Sequence, residues 1–129
     1  MESLQGVANL SDAYGKSHGN ESWDNWEPWL DDGQTIHAEV GQYRANPFGL
    51  FDMHGNVWEW CRDGYGDYTL PVREGDGERQ VADPKTRVFR GGSFAGTAVF
   101  ARSSVRHVDT PGRRGSGIGL RPARGVTIR

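Results

Sequence analysis

Glycine is the residue that most constrains this fold, because it occupies 19 of the 129 positions and is the commonest residue in the chain. Glycine destabilises the interiors of helices and strands and favours turns. The sequence therefore predicts many turns and few long regular elements. At this length we expect one domain, residues 1–129, with one modest core. Five Trp, four Tyr and five Phe predict that aromatic side chains make up much of that core.

The charge of the chain is small overall but uneven along its length. The formal net charge is −2, and the stretch from Glu21 to Glu59 is acidic. The region from Arg87 to Arg129 contains many Arg residues and a single acidic residue, Asp109. We expect the two stretches to face each other and partly neutralise, rather than to form a stripe that binds nucleic acid.

The sequence contains no signal for a membrane span. No apolar run is long enough to cross a bilayer, and the stretch from Met1 to Leu10 lacks the charged start and apolar centre of a signal peptide. We therefore expect a soluble chain. Cys61 is the single cysteine, so an intrachain disulfide is excluded and the redox compartment stays open.

Turn signals divide the chain into loops and four short strand candidates. We expect loops and turns over Met1–Tyr43 and a long surface loop over Arg62–Pro84, because both stretches are polar and rich in turn-forming residues. The strand candidates contain β-branched or aromatic residues, and we expect them to form a small antiparallel sheet. They are Val57–Trp60, Arg87–Arg90, Phe100–Val105 and Ile118–Arg121.

One continuous segment carries a specific resemblance to a known family. Residues Asn46 to Cys61 have the sequence NPFGLFDMHGNVWEWC, which resembles the signature of the formylglycine-generating-enzyme, or sulfatase-modifying-factor, family. Later parts of the chain resemble the same family, which extends the resemblance over most of the sequence from Asn46 onward. They are Arg87–Phe94, Arg102-Ser103, Arg106 and Ile118–Arg124.

The resemblance implies the fold class. It predicts an α+β, C-type-lectin-like fold of the formylglycine-generating-enzyme type, with short twisted antiparallel strands and many loops. The family's usual beginning, an Arg-Leu-Pro-Thr stretch followed by a helix that carries Glu-Trp-Glu, is absent from this sequence. We therefore expect the usual N-terminal elements of the fold to be lacking. Leu120 stands where the family usually has Phe, which is a conservative change.

The resemblance does not extend to the residues that the family's oxidases use. Those enzymes depend on a pair of cysteines after the Arg-Gly-Gly-Ser element, where a thiolate binds copper and attacks the substrate. This chain has no Cys from Gly91 to Arg129, and we expect Cys61 to be a small buried thiol. We therefore expect no enzyme activity and no redox cofactor. The His residues also lack the close spacing of the iron ligands in related sulfoxide synthases; they are His18, His37, His54 and His107.

The C-terminal segment from about residue 90 to residue 124 alternates a regular skeleton with short runs that carry no pattern. This layout resembles the variable proteins of diversity-generating retroelements, in which Asn codons of a template are mutagenised at adenines. Such changes cannot produce Lys, Glu, Gln, Met or Trp, and none of these residues occurs in the runs. We therefore predict that the runs, here called the variable set, form a solvent-facing ligand-binding surface. Its members are Ala95, Gly96, Thr97, Val99, Phe100, Val105, His107, Val108, Asp109, Arg113, Gly115, Ser116 and Gly117.

The resemblance to variable proteins also implies a class of partner. The usual target is a protein or a glycan on another cell or host, bound by a chain that is displayed on a virion or cell surface through another component. Phe100 and Val108 are apolar anchors beside small glycines, which favours a protein as the partner.

Two alternative functions fit the same residues. In the first, the chain is a degenerate or accessory relative of formylglycine-generating enzymes, and the variable set forms ordinary loops. In the second, arginines of the skeleton bind nucleic-acid phosphates. We expect no specific nucleic-acid binding, because few aromatic residues lie between these arginines and a framework Arg commonly pairs with an acid or a carbonyl. The arginines are Arg90, Arg102, Arg106, Arg114 and Arg121.

The resemblance further implies calcium as a structural ion. Four residues match the family's calcium position, where carboxylate oxygens and main-chain carbonyls suit the ion; they are Asp52, Gly55, Val57 and Glu59. A second set combines two side chains with two carbonyls; its members are Asn9, Leu10, Asp32 and Gln34. Without a metal, Glu59 between two Trp residues needs a framework Arg as its partner, and this salt bridge is an equal alternative.

Overall fold

The computed structural model describes residues 4–82 and 84–123. Expectations that involve Met1 or Arg124, the end of the predicted variable segment, lie outside the described residues. The described part contains one short helix and four short strands, and none of its helices is long and apolar enough to cross a membrane. In chain order the elements are α1 (Ala13–His18), β1 (Trp58–Gly64), β2 (Arg87–Arg90), β3 (His107–Asp109) and β4 (Ile118–Gly119).

The four strands form one sheet in the order β3-β2-β1-β4. β1 and β2 pair antiparallel, with Trp60 opposite Phe89, and a bulge follows before Gly64. β2 and β3 also pair antiparallel, but β4 pairs parallel to β1, with Trp58 opposite Ile118. The expected antiparallel arrangement therefore applies to three strands and is wrong for β4. The reason is that the chain after β3 crosses from one edge of the sheet to the other instead of forming a hairpin.

The strands predicted around Trp58 and at Arg87–Arg90 and Ile118 are present, but β1 continues to Gly64, so the prediction of a loop from Arg62 onward is wrong for its first three residues. The strand predicted at Phe100–Val105 is wrong, because this stretch forms successive turns. The main-chain N–H of Phe100 donates to Thr97, and that of Val105 donates to Arg102, at 3.0 and 2.9 Å. Local hydrogen bonds thus satisfy the groups that a strand would offer to its neighbour. β3 begins two residues later.

The prediction of loops and turns alone over Met1–Tyr43 missed α1. Asp12 caps this helix, because its Oδ1 accepts a hydrogen bond from the main-chain N–H of Gly15 at 2.8 Å. An Asp three residues before the donor is a known start signal for a helix. The helix has only six residues, so neither propensity nor periodicity marks it in the sequence.

The centre of the core is aliphatic, which differs from the expected aromatic core. Its fully buried cluster consists of Ala8, Leu10, Leu30 and Ala101. None of the five Trp residues is fully buried, and Trp29 is 52% exposed. Two other rings, those of Tyr43 and Phe89, are buried, whereas the Trp rings are half-buried or exposed.

Candidate ligand-binding surface and calcium loops

None of the residues in the variable set is buried. Eight are exposed: Ala95, Val99, Phe100, His107, Val108, Arg113, Gly115 and Ser116. The other five are half-buried: Gly96, Thr97, Val105, Asp109 and Gly117. A side chain at most of these positions can therefore change without entering the core, which is what the hypothesis of a solvent-facing surface requires.

Trp58 brings two separate parts of the variable set together. Its ring centroid lies 4.6 Å from that of His107 and 6.5 Å from that of Phe100, and these two rings are 5.7 Å apart. Phe89 packs edge-on against Trp58 at 5.3 Å. Sequence reasoning did not predict that half-buried Trp58, backed by buried Phe89, would contact the variable set, because strand residues with large rings are expected to be core.

A cleft of about 340 Å³ opens beside this aromatic patch. Its lining combines Trp58 and Phe89 with the later variable positions Asp109, Arg113 and Gly115–Gly117. Arg113 and Asp109 form an exposed ion pair at 3.7 Å. The cleft is therefore lined by three framework residues, including Ile118, and five variable ones, so its chemistry changes with the variable residues.

A second opening lies between the variable segment and an N-terminal loop. One wall is Ser22–Asn25, and the other wall is Ala95–Thr97 together with Val99 and Phe100; the volume is about 600 Å³. We call it the N-loop groove. Sequence reasoning did not predict the contribution of Ser22–Asn25, because about seventy residues separate the two walls and no local pattern connects them.

Framework groups hold the main chain of the variable segment rather than its side chains. Arg90 Nη1 donates to the carbonyls of Ser103 and Val105, at 2.9 and 3.2 Å. Arg102 Nε donates to the carbonyl of Val99 at 2.9 Å. Because every residue type has the same carbonyl, these bonds form whatever side chain a variable position carries.

The same pattern continues at both ends of the variable set. The main-chain N–H of Ser11 donates to the Gly96 carbonyl at 3.0 Å, and that of Trp58 donates to the Gly117 carbonyl at 2.7 Å. His37 Nε2 donates to the Ser116 carbonyl at 2.5 Å. The conformation of the segment is therefore set largely from outside it.

The side chain of Arg106 also makes contacts within the protein. Its Nη1 donates to the Gly66 carbonyl at 2.7 Å, and its guanidinium lies 3.7 Å from the ring centroid of Tyr68. Arg90, Arg102 and Arg121 likewise each donate to carbonyls or a carboxylate, which is the kind of contact expected for framework arginines, whereas Arg114 is exposed.

The first set of predicted calcium ligands converges on one pocket of about 220 Å³ that also contains Arg121. Asp52 is buried; its Oδ2 accepts a hydrogen bond from the Gly41 N–H at 2.7 Å, whereas its Oδ1 is buried without a hydrogen-bond partner among the described residues. A buried carboxylate oxygen without a donor suits a cation. Gly55 has a φ of 78°, and Val57 follows it on the wall of the same pocket.

The alternative to calcium is also present at this loop. Arg121 Nε donates to both carboxylate oxygens of Glu59, at 2.9 and 2.8 Å, and its Nη2 donates to the carbonyls of Phe51 and Asp52. The ion pair with Glu59 raises the pKa of Arg121. The acidic early stretch and the basic late stretch of the chain therefore neutralise each other at this point, as expected from the charge distribution.

In the second predicted set, Leu10 and Gln34 contact the carboxylate of Asp32, but through their main-chain N–H groups rather than the predicted carbonyls. Asp32 Oδ2 accepts from the Leu10 N–H and its Oδ1 from the Gln34 N–H, both at 2.8 Å. Asn9 Nδ2 donates to the Ile36 carbonyl at 2.8 Å. Burial raises the pKa of Asp32 to about 6, despite the two main-chain donors. No group of three or more His, Cys, Asp or Glu side chains converges as a metal site in residues 4–82 and 84–123, so an ion here needs main-chain carbonyls.

Cys61, His18 and His54 do not belong to any cluster of three or more His, Cys, Asp or Glu side chains among the described residues. Cys61 is half-buried, and burial raises the pKa of its thiol, which disfavours the reactive thiolate. His18 and His54 each use Nδ1 to bond a main-chain carbonyl, of Tyr14 at 3.0 Å and of Ala101 at 2.7 Å. These contacts are structural.

Comparison with known proteins identifies relatives in both catalytic and inactive groups. The chain is 42% identical over 89 residues to serine/threonine-protein kinase pkn1 of Chlamydia caviae, covering 67% of this chain and 14% of that protein. It is 32% identical over 102 residues to formylglycine-generating enzyme of Streptomyces coelicolor, covering 72% and 31%. It is 35% identical over 86 residues to inactive C-alpha-formylglycine-generating enzyme 2 of Bos taurus, covering 63% and 24%. The chain therefore spans less than a third of the length of these curated relatives.

Solved structures resemble the fold over most of this chain. Variable protein 1 of Treponema denticola matches with a TM-score of 0.61 and 28% identity, covering 89% of this chain and 34% of that one. PvdO from Pseudomonas aeruginosa matches with a TM-score of 0.64 and 28% identity, covering 89% and 38%. These similarities confirm the C-type-lectin-like α+β fold. The model of the sulfatase-modifying factor enzyme 1-like domain matches residues 7–126, so the chain belongs to the sulfatase-modifying-factor, or formylglycine-generating-enzyme, family.

Proposed function

We propose that this domain is a non-catalytic binding module whose segment from about residue 90 to residue 124 is diversified by a retroelement. The observation that carries the proposal is the set of framework hydrogen bonds to the carbonyls of Gly96, Val99, Val105, Ser116 and Gly117. These bonds fix the backbone of the segment at five points, while eight of the thirteen positions of the variable set are exposed. A surface built in this way keeps its shape when its side chains change. The similarity in fold to a variable protein supports the same conclusion.

The coding DNA tests the diversification directly. We expect a nearby near-copy of the segment, beside a reverse-transcriptase gene, with Asn codons at the positions of the variable set. Sequencing the flanking DNA is sufficient for this test. A flanking region with neither a near-copy nor a reverse transcriptase would contradict the proposal.

The absence of catalysis rests on the absence of cysteines after Gly91 and on the half-buried position of Cys61. A thiolate is the nucleophile in cysteine chemistry, and burial raises the pKa of this thiol. Incubation of the purified protein with a Cys-containing peptide, with and without added copper, should leave the peptide unchanged by mass spectrometry. Conversion of the Cys to an aldehyde would refute the proposal.

The ligand of this module is a protein or glycan on another cell or host. Val99, Phe100 and Val108 are exposed apolar side chains, with exposed fractions of 55, 40 and 38%, and they favour a protein. Once a target is in hand, Phe100→Ala together with Val108→Ala should weaken binding at least tenfold, measured by calorimetry. Unchanged affinity in this double variant would contradict the role of the two residues as anchors.

We further propose that calcium stabilises the loop of Asp52, Gly55, Val57 and Glu59. The support is Asp52 Oδ1, which is buried without a hydrogen-bond partner among the described residues. Asp52 lines the same pocket as Gly55 and Val57, whose carbonyls are the other predicted ligands. An ion would supply a positive charge to Asp52 and compete with Arg121 for Glu59. We expect chelator to lower Tm by about 5 °C or more. The variant Asp52→Ala should be insensitive to chelator, and a Tm of the original protein that chelator leaves unchanged would refute this part.

A further inference from the structure

The N-loop groove is built from one fixed wall and one variable wall. Ser11 lies between them and is fully buried. Its main-chain N–H donates to the Gly96 carbonyl on the variable wall at 3.0 Å, and its hydroxyl donates to the Asn25 carbonyl on the fixed wall at 2.7 Å. Ser11 therefore links the two walls and fixes the distance between them.

A second tie joins the same two regions. The Ala98 N–H donates to Glu27 Oε1 at 2.7 Å, directly next to the variable wall. Trp23, on the fixed wall, is half-buried because its ring packs against Gly15, where even a methyl group would lie 2.6 Å from the ring. The groove is thus preformed, and a ligand does not have to order it.

The chemistry of the groove is anionic and aromatic. Asp24 is the one ionisable side chain among the lining residues; it is exposed and makes no hydrogen bond or ion pair with the described residues. The rings of Trp23 and Phe100 lie on opposite walls. The nearest cation of the N-terminal loop, Lys16, is already bonded to the carbonyl of Trp23 at 2.8 Å and also to that of Glu21.

We propose that the N-loop groove binds a cationic side chain, Lys or Arg, of a protein ligand. Asp24 supplies the counter-charge, and the faces of Trp23 and Phe100 attract a cation through their ring electrons. This inference rests on the proposed binding function and names the chemistry of one subsite. The fixed wall selects for positive charge, whereas the variable wall adjusts what surrounds that charge.

The test uses the full chain labelled with ¹⁵N and a blocked Gly-Gly-Arg-Gly-Gly peptide, with a citrulline peptide as the neutral control. Citrulline has the shape of Arg without its charge. We expect the Arg peptide to shift the Trp23 indole N–H and the main-chain amides of residues 22–25 and 95–100. The citrulline peptide should bind about two- to fivefold more weakly, the range typical of one exposed charge pair.

Two variants complete the experiment. Asp24→Asn keeps the shape of the fixed wall and should weaken binding of the Arg peptide about two- to fivefold, without affecting the citrulline peptide. The control Asp31→Asn removes an exposed acid outside the groove and should leave both affinities unchanged.

The proposal fails if the two peptides bind equally, if Asp24→Asn has no effect, or if no resonance of the groove shifts at peptide concentrations on the order of 10 mM. Each of these results would remove the cation subsite alone. The diversified binding role would still stand or fall on the template in the flanking DNA, so the two failures are distinguishable.

Discussion

The stretch from Asp52 to Glu59, which leads into β1, and the segment from Ala95 to Gly117 both consist largely of irregular backbone, but they are fixed in different ways. In the first, residue identity is essential. Gly55 has a φ of 78°, and a Cβ there would lie 1.9 Å from the carbonyl oxygen of Asn9. Asn56 uses its side-chain amide to bond both the N–H and the carbonyl of Ala38, each at 3.2 Å.

In the second region, Arg90 and His37 from outside the segment and Arg102 within it hold main-chain carbonyls, and most of the variable positions are exposed, although Ala101 belongs to the core. The comparison shows two ways to order a loop. A loop that depends on its own side chains has a recognisable sequence, because few residues can replace them. A loop that is held by its main chain has no such sequence, and its side chains are free to vary.

The largest effect is expected at Gly55. Gly55→Ala should lower the free energy of unfolding by more than about 3 kcal/mol, because the new methyl group meets main-chain atoms that cannot move aside and the backbone angle is unfavourable for Ala. Urea denaturation measures this. Gly115→Ala is the control in the variable segment, where the new Cβ would make an ordinary contact at 3.8 Å, and it should change stability by less than about 0.5 kcal/mol. Similar losses in both variants would remove the distinction between the two regions.

The next effect concerns Arg121. Arg121→Met should destabilise the protein by about 2 kcal/mol, because it leaves the half-buried Glu59 carboxylate without its partner and two carbonyls without a donor. The control is Arg113→Met in the variable segment, which removes an exposed pair at 3.7 Å and should cost less than about 0.5 kcal/mol. Thermal denaturation at equal ionic strength compares the two, and an equal loss in both would contradict the expectation.

A smaller effect depends on pH and on Asp32. Its pKa is raised from 3.8 to about 6 in the folded protein, so the native state binds this proton more tightly than the unfolded chain does. The contribution to stability is therefore fully present below pH 3.8 and is lost as the pH rises through 6. In chelator, Asp32→Asn should flatten this part of the stability profile by about 1–2 kcal/mol, after allowance for partial exposure. An unchanged slope between these pH values would show that another group is responsible.

The smallest effect is expected for several changes made at once in the variable set. A triple variant with Val99→Ser, Val108→Ser and Ser116→Tyr should unfold within about 1 kcal/mol of the original protein, because all three side chains are exposed. Circular dichroism and denaturation measure this. Loss of the fold in the triple variant would mean that these side chains, and not only main-chain contacts, order the segment.

Prediction from the sequence succeeded where the signals are local. The Gly55-Asn56 turn followed by Trp58 and Trp60 indicated β1, and Arg87–Arg90 indicated β2. It failed at Phe100–Val105, where residues that favour strands form turns closed by local hydrogen bonds, and where Arg90 binds the carbonyls of Ser103 and Val105. Context of this kind overrides strand propensity.

The candidate site divides in the same way. The exposure of the variable set agrees with the interpretation of its patternless runs, and the first calcium loop does converge on one pocket. The N-loop groove and the aromatic patch around Trp58 were not predicted, since each joins residues that are distant in the chain. No periodicity or motif in the sequence indicates that these distant residues contact one another.

The sequence by itself was sufficient to establish family membership, the absence of Cys from the late segment and the approximate positions of β1 and β2. Each of these depends only on residues that are close together in the chain. Only the tertiary structure decided that β4 runs parallel to β1, that Arg121 pairs with Glu59 and that Asp24 and Phe100 line the same groove. The physical reason is that these features depend on contacts between segments that are distant in the chain. Residues 110–117 cross from one edge of the sheet to the other, and the hydrogen bonds of Ser11 join the two walls of the groove.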